Sequence, residues 1–270
     1  MSGAPAGDTV RDHYETAGLA DRLLAEIADP AIDIGPALDQ FHVGGAKATK
    51  RLIARIDLPD GARVLDVGSG LGGPARLLAS ARGWDVTGID LSPEFSRVAT
   101  ALSARAGVTG ETRFCAADAL YLPFPDGAFD AIWTEHVAMN IGARDALYAE
   151  LARVVGGGGL LALYDIVAGE QPGELSYPVH WARAPGNSHL VDSDTLRTRI
   201  TEAGWTECVW EDETVFARDW IENARPPGGA TGPTLRQVMG EDFPSMLANL
   251  RDNFSDGRLG AVQAVFQKTT

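Results

Sequence analysis

The sequence predicts an α/β fold in which helices cover both faces of a mostly parallel sheet. Between residues 62 and 204, short apolar runs alternate with helix-like segments, a pattern typical of parallel sheets. Runs such as VLDVG at 64–68 are almost continuously apolar, as expected of strands buried on both faces. A glycine-rich turn, GSGLGG at 68–73, follows that run directly. Because ligands of open parallel sheets bind beyond the carboxyl ends of the strands, these observations predict a Rossmann-like ligand-binding domain.

Residues 1–57 are predicted to form a helical lid ahead of this domain, which then spans residues 58–270. Residues 8–28 carry apolar side chains at helical spacing, which favours a first helix. Residues 29–40 contain the prolines and the glycine of a loop. A second helix is predicted over 46–56, because LPDG follows it as a stop signal.

Seven strands and the helices between them follow in order. The strands are predicted at residues 62–68, 84–90, 112–118, 129–135, 159–165, 205–210 and 260–267, and the helices at 74–82, 92–107, 143–155 and 192–204. Pro74 suits the first turn of its helix, and Ser92 suits the N-cap of the next helix. About 50 residues separate the last two strands, which is too many for a loop. We therefore predict a helical insertion at about residues 212–256 that covers the active site.

The charge of the chain argues against nucleic-acid and membrane partners. The net charge is −14 and the pI is about 4.7, whereas nucleic acids and anionic lipid surfaces require basic patches. The sequence shows neither a signal-peptide pattern nor an apolar run that could span a bilayer, so we expect a cytoplasmic protein. Cys115 and Cys208 lie in apolar, strand-like runs and are predicted to be reduced core residues. No residues occur at metal-ligand spacing, so no metal is predicted.

The glycine-rich turn fits two classes of cofactor. Gly68, Gly70 and Gly73 match G-x-G-x-x-G, and Asp90 follows at the end of the second strand, as in nicotinamide-dependent oxidoreductases. Asp66, however, precedes the first glycine by two residues and would repel a pyrophosphate while attracting an amino group or a sulfonium. The residues therefore favour S-adenosylmethionine, which has a ribose and a positive sulfur but no phosphate. The oxidoreductase is the alternative hypothesis.

Four motifs in sequence then resemble one enzyme family. They are VLDVGSGLGG at 64–73, GIDLSP at 88–93, CAADALYLPFPDGAFDAIWTEHVAMNI at 115–141 and ELARVVGGGGLLALYD at 150–165. In order and spacing they resemble class I S-adenosylmethionine-dependent methyltransferases over about residues 41–210. The most similar branch acts on small molecules and is related to ubiquinone/menaquinone C-methyltransferases and glycine-betaine-type N-methyltransferases. The resemblance implies S-adenosylmethionine as cofactor and a seven-stranded sheet with an antiparallel last strand.

The resemblance also implies which residues contact the cofactor. These are Asp66, Gly68, Ser69, Gly70, Asp90, Leu91, Ala117, Asp118, Ala119 and Glu135, together with His42 and Gly44 of the lid. In this scheme Asp90 accepts hydrogen bonds from the ribose hydroxyls, Leu91 packs on the adenine, and Asp118 accepts from the adenine amino group. Gly72 and Gly73 are interpreted as packing residues instead.

The acceptor side is predicted less directly, from residue chemistry. An oxygen or carbon nucleophile needs a general base, for which His136 is the first candidate and His189 the second. Substrate contacts are expected from Tyr14 of the first helix and from Tyr177, His180 and Trp181 after the fifth strand. The expected acceptor is a small metabolite or natural product. Oxygen, nitrogen and carbon acceptors stay open, as do a monomer and a homodimer.

Overall fold

A computed structural model describes residues 18–32, 38–171, 173–223 and 232–269, and within them seven strands form one sheet. The strands are β1 (Arg63–Val67), β2 (Asp85–Asp90), β3 (Thr112–Ala116), β4 (Phe129–Glu135), β5 (Val155–Ala168), β6 (Trp205–Asp212) and β7 (Leu259–Lys268). Their order across the sheet is β3-β2-β1-β4-β5-β7-β6. Strand β7 runs antiparallel to β5 and β6, whereas the other pairs are parallel. The predicted mostly parallel sheet with an antiparallel last strand is confirmed.

Helices pack on both faces of this sheet, as predicted. They include α3 (Gly73–Arg82), α4 (Pro93–Ala106), α5 (Arg144–Val154) and α6 (Ser193–Glu202), which follow the lid helices described below. Alternate residues of β4 enter different cores. Trp133 packs in the same core as Leu78 of α3, and Ile132 packs in the same core as Leu147 of α5. The continuously apolar strands thus reflect a sheet that is buried on both sides.

The predicted helix starts agree with the structure. Pro74 lies in the first turn of α3, and the Ser92 hydroxyl accepts a hydrogen bond from the Phe95 N–H at 3.2 Å as the N-cap of α4. Strand β5 is longer than predicted, because it begins at Val155 directly after α5 and includes the glycine run. That run has too few side chains to carry an apolar strand pattern.

The lid and the insertion are both helical where they are described. The lid contains α1 (Leu19–Ala28) and α2 (Gly45–Ile53), and the insertion contains α7 (Thr214–Asn223), α8 (Leu235–Met239) and α9 (Phe243–Ser255). The rest of the predicted first helix, at residues 8–17, lies outside the described residues, as do residues 224–231. Helix α1 shares a core with α4, in which Leu23 packs with Val98.

A buried carboxylate joins the lid to the segment before α7. Glu213, with 2% of its side chain exposed, accepts hydrogen bonds from Arg51 at 2.8 and 2.9 Å and from Arg55 at 2.8 Å. Because an unpaired buried carboxylate is strongly disfavoured, this pairing requires α2 to remain docked. Gln263 of β7 adds a hydrogen bond to the Ala48 carbonyl at 3.0 Å. These contacts hold residues 48–55 against β7 and the residue before α7.

The expectation for one of the two cysteines is wrong. Cys115 is half-buried, but Cys208 is exposed, and neither forms a disulfide. Strand β6 lies at the edge of the sheet, and most of its residues are exposed or half-buried. An apolar run on an edge strand is therefore not evidence of burial on both faces.

Substitution of Gly73 tests the packing role assigned to it. An added Cβ at Gly73 would overlap the Asp39 carbonyl oxygen, whereas Gly110 has open space around it. An alanine in a helix normally stabilises it by about 1 kcal/mol relative to glycine. We expect Gly73→Ala instead to lower the free energy of unfolding by about 1–3 kcal/mol, because overpacking displaces the backbone. Gly110→Ala is the control. Equal urea midpoints for the two variants would contradict the packing role.

Candidate active site

A cavity of about 340 Å³ opens beyond the carboxyl ends of β1, β2 and β4. Its wall includes the glycine turn after β1, the end of β2, the residues after β3 and the segment after β4. Leu250 of α9 also lines it, so this helix contributes to the wall of the cavity. The cavity lies where parallel α/β sheets bind their ligands.

The glycine turn has a backbone that only glycine adopts easily. Gly68 and Gly70 have φ values of 71° and 52°, in the left-handed region. Both line the cavity. An added Cβ at Gly68 would overlap the Val137 side chain. Glycine is therefore needed at Gly68 for conformation and for space, which brings the turn close to the segment after β4.

The carboxylate of Asp90 is fixed at the same wall by two backbone donors. The Gly70 N–H donates to Asp90 Oδ2 at 3.0 Å, and the Ser92 N–H donates to Asp90 Oδ1 at 2.9 Å. Each carboxylate oxygen can accept more than one hydrogen bond. Leu91, which is 45% exposed, lies beside it and also lines the cavity.

The residues after β3 form the next part of the wall. Ala117, Asp118 and Ala119 all line the cavity. Asp118 is exposed, and its Oδ1 accepts a hydrogen bond from the Leu120 N–H at 2.9 Å, which fixes the carboxylate in a turn. The structure thus brings these three residues together with Asp90, as the sequence predicted.

Asp66 and Ser69 lie behind the wall. Asp66 is 2% exposed, and neither its Oδ2 nor the Ser69 hydroxyl has a hydrogen-bond partner within the described residues. Burial raises the pKa of Asp66 well above its usual value, and the charges of Glu135 and Asp90 raise it further. A carboxyl group with a raised pKa carries less negative charge at neutral pH. The charge of Asp66 is thus a weaker discriminator between cofactors than the sequence suggested.

Glu135 and His42 form a buried polar network at the floor of the cavity. His42 Nε2 lies 3.0 Å from the Gly45 carbonyl, to which only a protonated ring nitrogen can donate. The Thr49 hydroxyl donates to Glu135 Oε2 at 2.9 Å, and His42 Nε2 lies 3.6 Å from the same oxygen. Burial raises the pKa of Glu135, whereas His42 and Thr49 oppose that change. Glu135 lines the cavity, and His42 supports it from behind.

His136 has the chemistry of a general base. It lines the cavity and has a left-handed backbone with φ of 57°, which is uncommon for a residue other than glycine and frequent at functional sites. Its ring lies 4.7 Å from the ring of Tyr164, measured between centroids. Burial lowers the pKa of His136 well below its usual value, and His42 and His180 lower it further. This shift favours the neutral form of the imidazole.

Some of the other residues predicted to act on the methyl acceptor line the cavity, and others do not. His180 and Trp181 line the cavity, and the Trp181 indole donates to the Ser188 hydroxyl at 2.9 Å. Tyr177 packs against a hydrophobic core instead. His189 is exposed and is not part of the wall. Tyr14 lies outside the described residues.

Gly44 lies at the N-cap of α2, away from the cavity wall. An added Cβ there would lie 2.6 Å from the Phe216 ring. Gly44 therefore allows α2 and α7 to approach each other. Gly72 likewise serves packing, as predicted, because an added Cβ would lie 2.6 Å from the Phe114 ring.

Sequence reasoning missed most of the apolar wall. Phe41, Met139, Ile141 and Leu250 line the cavity, as does the polar residue Asn140. Nothing in a sequence separates an apolar residue at a cavity from one in a core. Asn140 could have been found, because it follows the same strand as His136 and lies in a segment that the motifs already marked.

A ring of polar contacts braces the segment after β4. The Arg144 guanidinium donates to the His189 carbonyl at 2.9 Å, and the His189 N–H donates to the Met139 carbonyl at 2.8 Å. Arg144 Nη1 lies 3.9 Å from the buried carboxylate of Asp165. Burial raises the pKa of Asp165 to about 7, although Arg144 and the Ile166 and Met139 N–H groups oppose this.

The raised pKa of Asp165 predicts a stability that falls as pH rises. The unfolded carboxyl has a pKa of about 3.9, so between about pH 4 and pH 7 the folded protein binds more protons than the unfolded chain. Its contribution to stability is thus greatest near pH 4 and declines up to about pH 7. We expect the free energy of unfolding of the wild type to decrease relative to Asp165→Asn over this range. Urea titrations at pH 4.5, 6 and 7.5 measure it, and a constant difference would contradict the expectation.

Comparisons with known proteins agree with this geometry. The sequence model of the family described as "Methyltransferase domain" matches residues 65–163. The chain is 30% identical over 225 residues to 27-O-demethylrifamycin SV methyltransferase of Amycolatopsis mediterranei, covering 82% of this chain and 83% of that protein. It is 37% identical over 163 residues to methyltransferase GfsG of Streptomyces halstedii, covering 58% of each chain.

Solved structures with a similar fold are also found. The solved [4+2]-cyclase SpnF superposes with a TM-score of 0.72 at 24% identity, covering 100% of both chains. This similarity concerns the fold alone. Within the described ranges, none of the helices combines the length and the apolar character that a bilayer crossing requires. In the same ranges, no three His, Cys, Asp or Glu side chains are grouped as metal ligands.

Proposed function

The chain belongs to the class I S-adenosylmethionine-dependent methyltransferases that act on small molecules, and from this premise we propose a role for its cavity. The cavity binds S-adenosylmethionine and transfers its methyl group to a nucleophilic oxygen, nitrogen or carbon of a small metabolite or natural product. The family model and the relatives support this function over the alternative of a nicotinamide-dependent oxidoreductase.

The residues of the wall fit this cofactor. The left-handed glycines Gly68 and Gly70 leave space beside the turn. The oxygens of Asp90 suit the ribose hydroxyls, with Leu91 against the adenine, and Asp118 suits the adenine amino group between Ala117 and Ala119. Glu135, held by Thr49, suits the ammonium group of the methionine part. Asp66, Ser69 and His42 support these residues from behind the wall, whereas Gly44 serves the packing of α2 against α7.

The chemistry needs alignment and, for some acceptors, a base. S-adenosylmethionine supplies a methyl group that its sulfonium already activates, and an in-line displacement moves it to the acceptor. The chain orients the acceptor against the turn and excludes water with the lid and α9. His136 removes a proton from an oxygen or carbon acid, whereas an amine needs no base. His180 and Trp181 contact the acceptor.

One observation carries this function: a cavity in which Asp90 and Asp118 share a wall with the imidazole of His136. Calorimetry with S-adenosylhomocysteine tests the cofactor half, and transfer of a labelled methyl group to candidate acceptors tests the rest. A flat isotherm would overturn the proposal. Binding without turnover of any acceptor would instead favour a cofactor-binding protein without enzymatic activity.

We also infer the setting in which the protein acts. Both cysteines are unpaired, as is usual in a reducing cytoplasm. The acidic net charge of −14 disfavours nucleic acids and anionic membranes as partners. A monomer and a homodimer are both compatible with this function.

A further inference from the structure

Two residues after β4 carry buried polar atoms without a protein partner. They are His136 Nε2 and Asn140 Oδ1, and neither has a hydrogen bond within the described residues. Both residues line the cavity. Buried polar atoms are nearly always hydrogen-bonded in folded proteins, so each exception needs an explanation. A bound ligand that forms hydrogen bonds with both atoms would explain why neither atom has a protein partner.

The orientation of the Asn140 amide is fixed by its neighbour. Asn140 Nδ2 donates to the Val137 carbonyl at 3.3 Å. Because a carbonyl can only accept, the amino side of the amide must face Val137, which leaves the amide oxygen for another contact. That oxygen can only accept. The ligand atom that it meets must therefore be a donor.

The two atoms together limit the chemistry of the acceptor. A neutral imidazole can take a proton from a hydroxyl, which pairs the nitrogen of His136 before and during transfer. A carbon acid offers only a weak C–H donor, and an amine acceptor must be unprotonated and needs no base. A hydroxyl therefore suits His136 best. Since its single proton is directed at His136, Asn140 requires a second donor on the same molecule.

The charge of the wall limits the acceptor further. The same wall includes the apolar residues Met139, Ile141 and Leu250. No lysine or arginine is among the described residues that line the cavity. A phosphate or carboxylate placed there would be desolvated without a cationic partner, which is strongly unfavourable. The anionic residues of the same wall would repel it as well.

We propose that the methyl acceptor is an uncharged, largely apolar molecule whose reacting hydroxyl has a second hydrogen-bond donor beside it. This inference rests on the proposed methyltransferase function. The new bond joins the acceptor oxygen to the methyl carbon as the carbon–sulfur bond breaks, and S-adenosylhomocysteine leaves. The hydroxyl proton passes to His136 and then to solvent. Asn140 accepts a hydrogen bond from the neighbouring donor and so orients the reacting hydroxyl.

A panel of matched acceptors tests the inference. The panel uses three apolar ring systems: naphthalene, decalin and a steroid. Each ring system is used in four forms: a vicinal diol, a single alcohol, an amine and a hydroxyl-bearing phosphate ester. We expect kcat/KM to be highest for a diol and about tenfold lower for the matching alcohol, the value of one neutral hydrogen bond. Phosphate esters should react at least about 100-fold more slowly than the diol, because their charge is unpaired in the cavity.

The outcomes separate this inference from the function on which it rests. Binding of S-adenosylhomocysteine with no transfer to any diol overturns the inference and leaves the cofactor site intact. Preferred transfer to an amine, an isolated alcohol or a phosphate ester also overturns it, while confirming methyl transfer. Failure to bind S-adenosylhomocysteine overturns the proposed function itself.

Asn140→Leu separates a positioning role from a structural one. The leucine keeps the approximate size of the side chain but removes the amide oxygen. We expect the preference for the diol over the alcohol to fall from about tenfold to less than about twofold. Equal losses for both acceptors would show a structural role and overturn the assignment. Asn223→Leu, on the exposed end of α7, is the control and should keep the preference.

Discussion

His136→Asn is expected to lower kcat for a hydroxyl acceptor by about 100-fold to 10,000-fold, the usual contribution of a general base. Asparagine is chosen because it tolerates the left-handed backbone at this position better than most residues, where φ is 57°. The fold should therefore be retained while the proton acceptor is lost. Single-turnover transfer of a labelled methyl group measures the effect on the chemical step.

A matched histidine provides the control for this variant. His189 is exposed and lies outside the cavity wall, although its backbone carbonyl accepts a hydrogen bond from Arg144. His189→Asn keeps that backbone and should change kcat by less than about threefold, as expected for a surface substitution. Affinity for S-adenosylhomocysteine should stay unchanged in both variants. A large loss in His189→Asn with full activity in His136→Asn would reverse the two assignments.

The pH profile gives a second test of the same residue. A base works in its neutral form, and the pKa of His136 is lowered below its usual value by burial. The acidic limb of log kcat should therefore lie below about pH 6.5, the value for a free imidazole. In His136→Asn this limb should disappear. A limb centred above pH 6.5 in the wild type would indicate a different titrating group.

The parts of the site that the sequence predicted are those built by local patterns. Asp90 and the turn at Gly68 follow directly from buried strands, so their meeting at one edge of the sheet is a consequence of parallel topology. Asp118 and Glu135 end or follow neighbouring strands for the same reason. The strand pattern therefore predicts where the turn and Asp90 meet, whereas the other proposed cofactor contacts come from the resemblance to the methyltransferase family.

The acceptor half depends on long-range packing that leaves no local pattern. His136 and His189 both lie in polar loop segments, and only the tertiary structure places one in the wall and the other at the surface. Leu250 reaches the cavity from an insertion far along the chain. The protonation of Asp66 also depends on burial and on Glu135, which spacing alone cannot reveal.

Asp90→Ala is expected to weaken the binding of S-adenosylhomocysteine by about 100-fold or more, because each hydrogen bond to a charged group contributes about 1.5–3 kcal/mol. The carboxylate has two tasks in the proposed site. It accepts from Gly70 and Ser92 of the surrounding backbone, and it is proposed to accept from the ribose hydroxyls. Calorimetry with S-adenosylhomocysteine and with 2′-deoxy- and 3′-deoxy-analogues distinguishes the two tasks.

Comparison of the analogues separates a direct contact between Asp90 and the ribose from an effect of Asp90 on the conformation of the turn. Wild-type protein should bind each deoxy-analogue about tenfold more weakly than S-adenosylhomocysteine, whereas Asp90→Ala should bind all three with similar affinity. If the carboxylate only ordered the turn, the variant would still discriminate among them. Asp85→Ala is the matched control, since Asp85 begins the same strand at the opposite edge and pairs with Arg113 at the surface. Its affinity should equal that of the wild type, because a surface ion pair remote from the cavity contributes little.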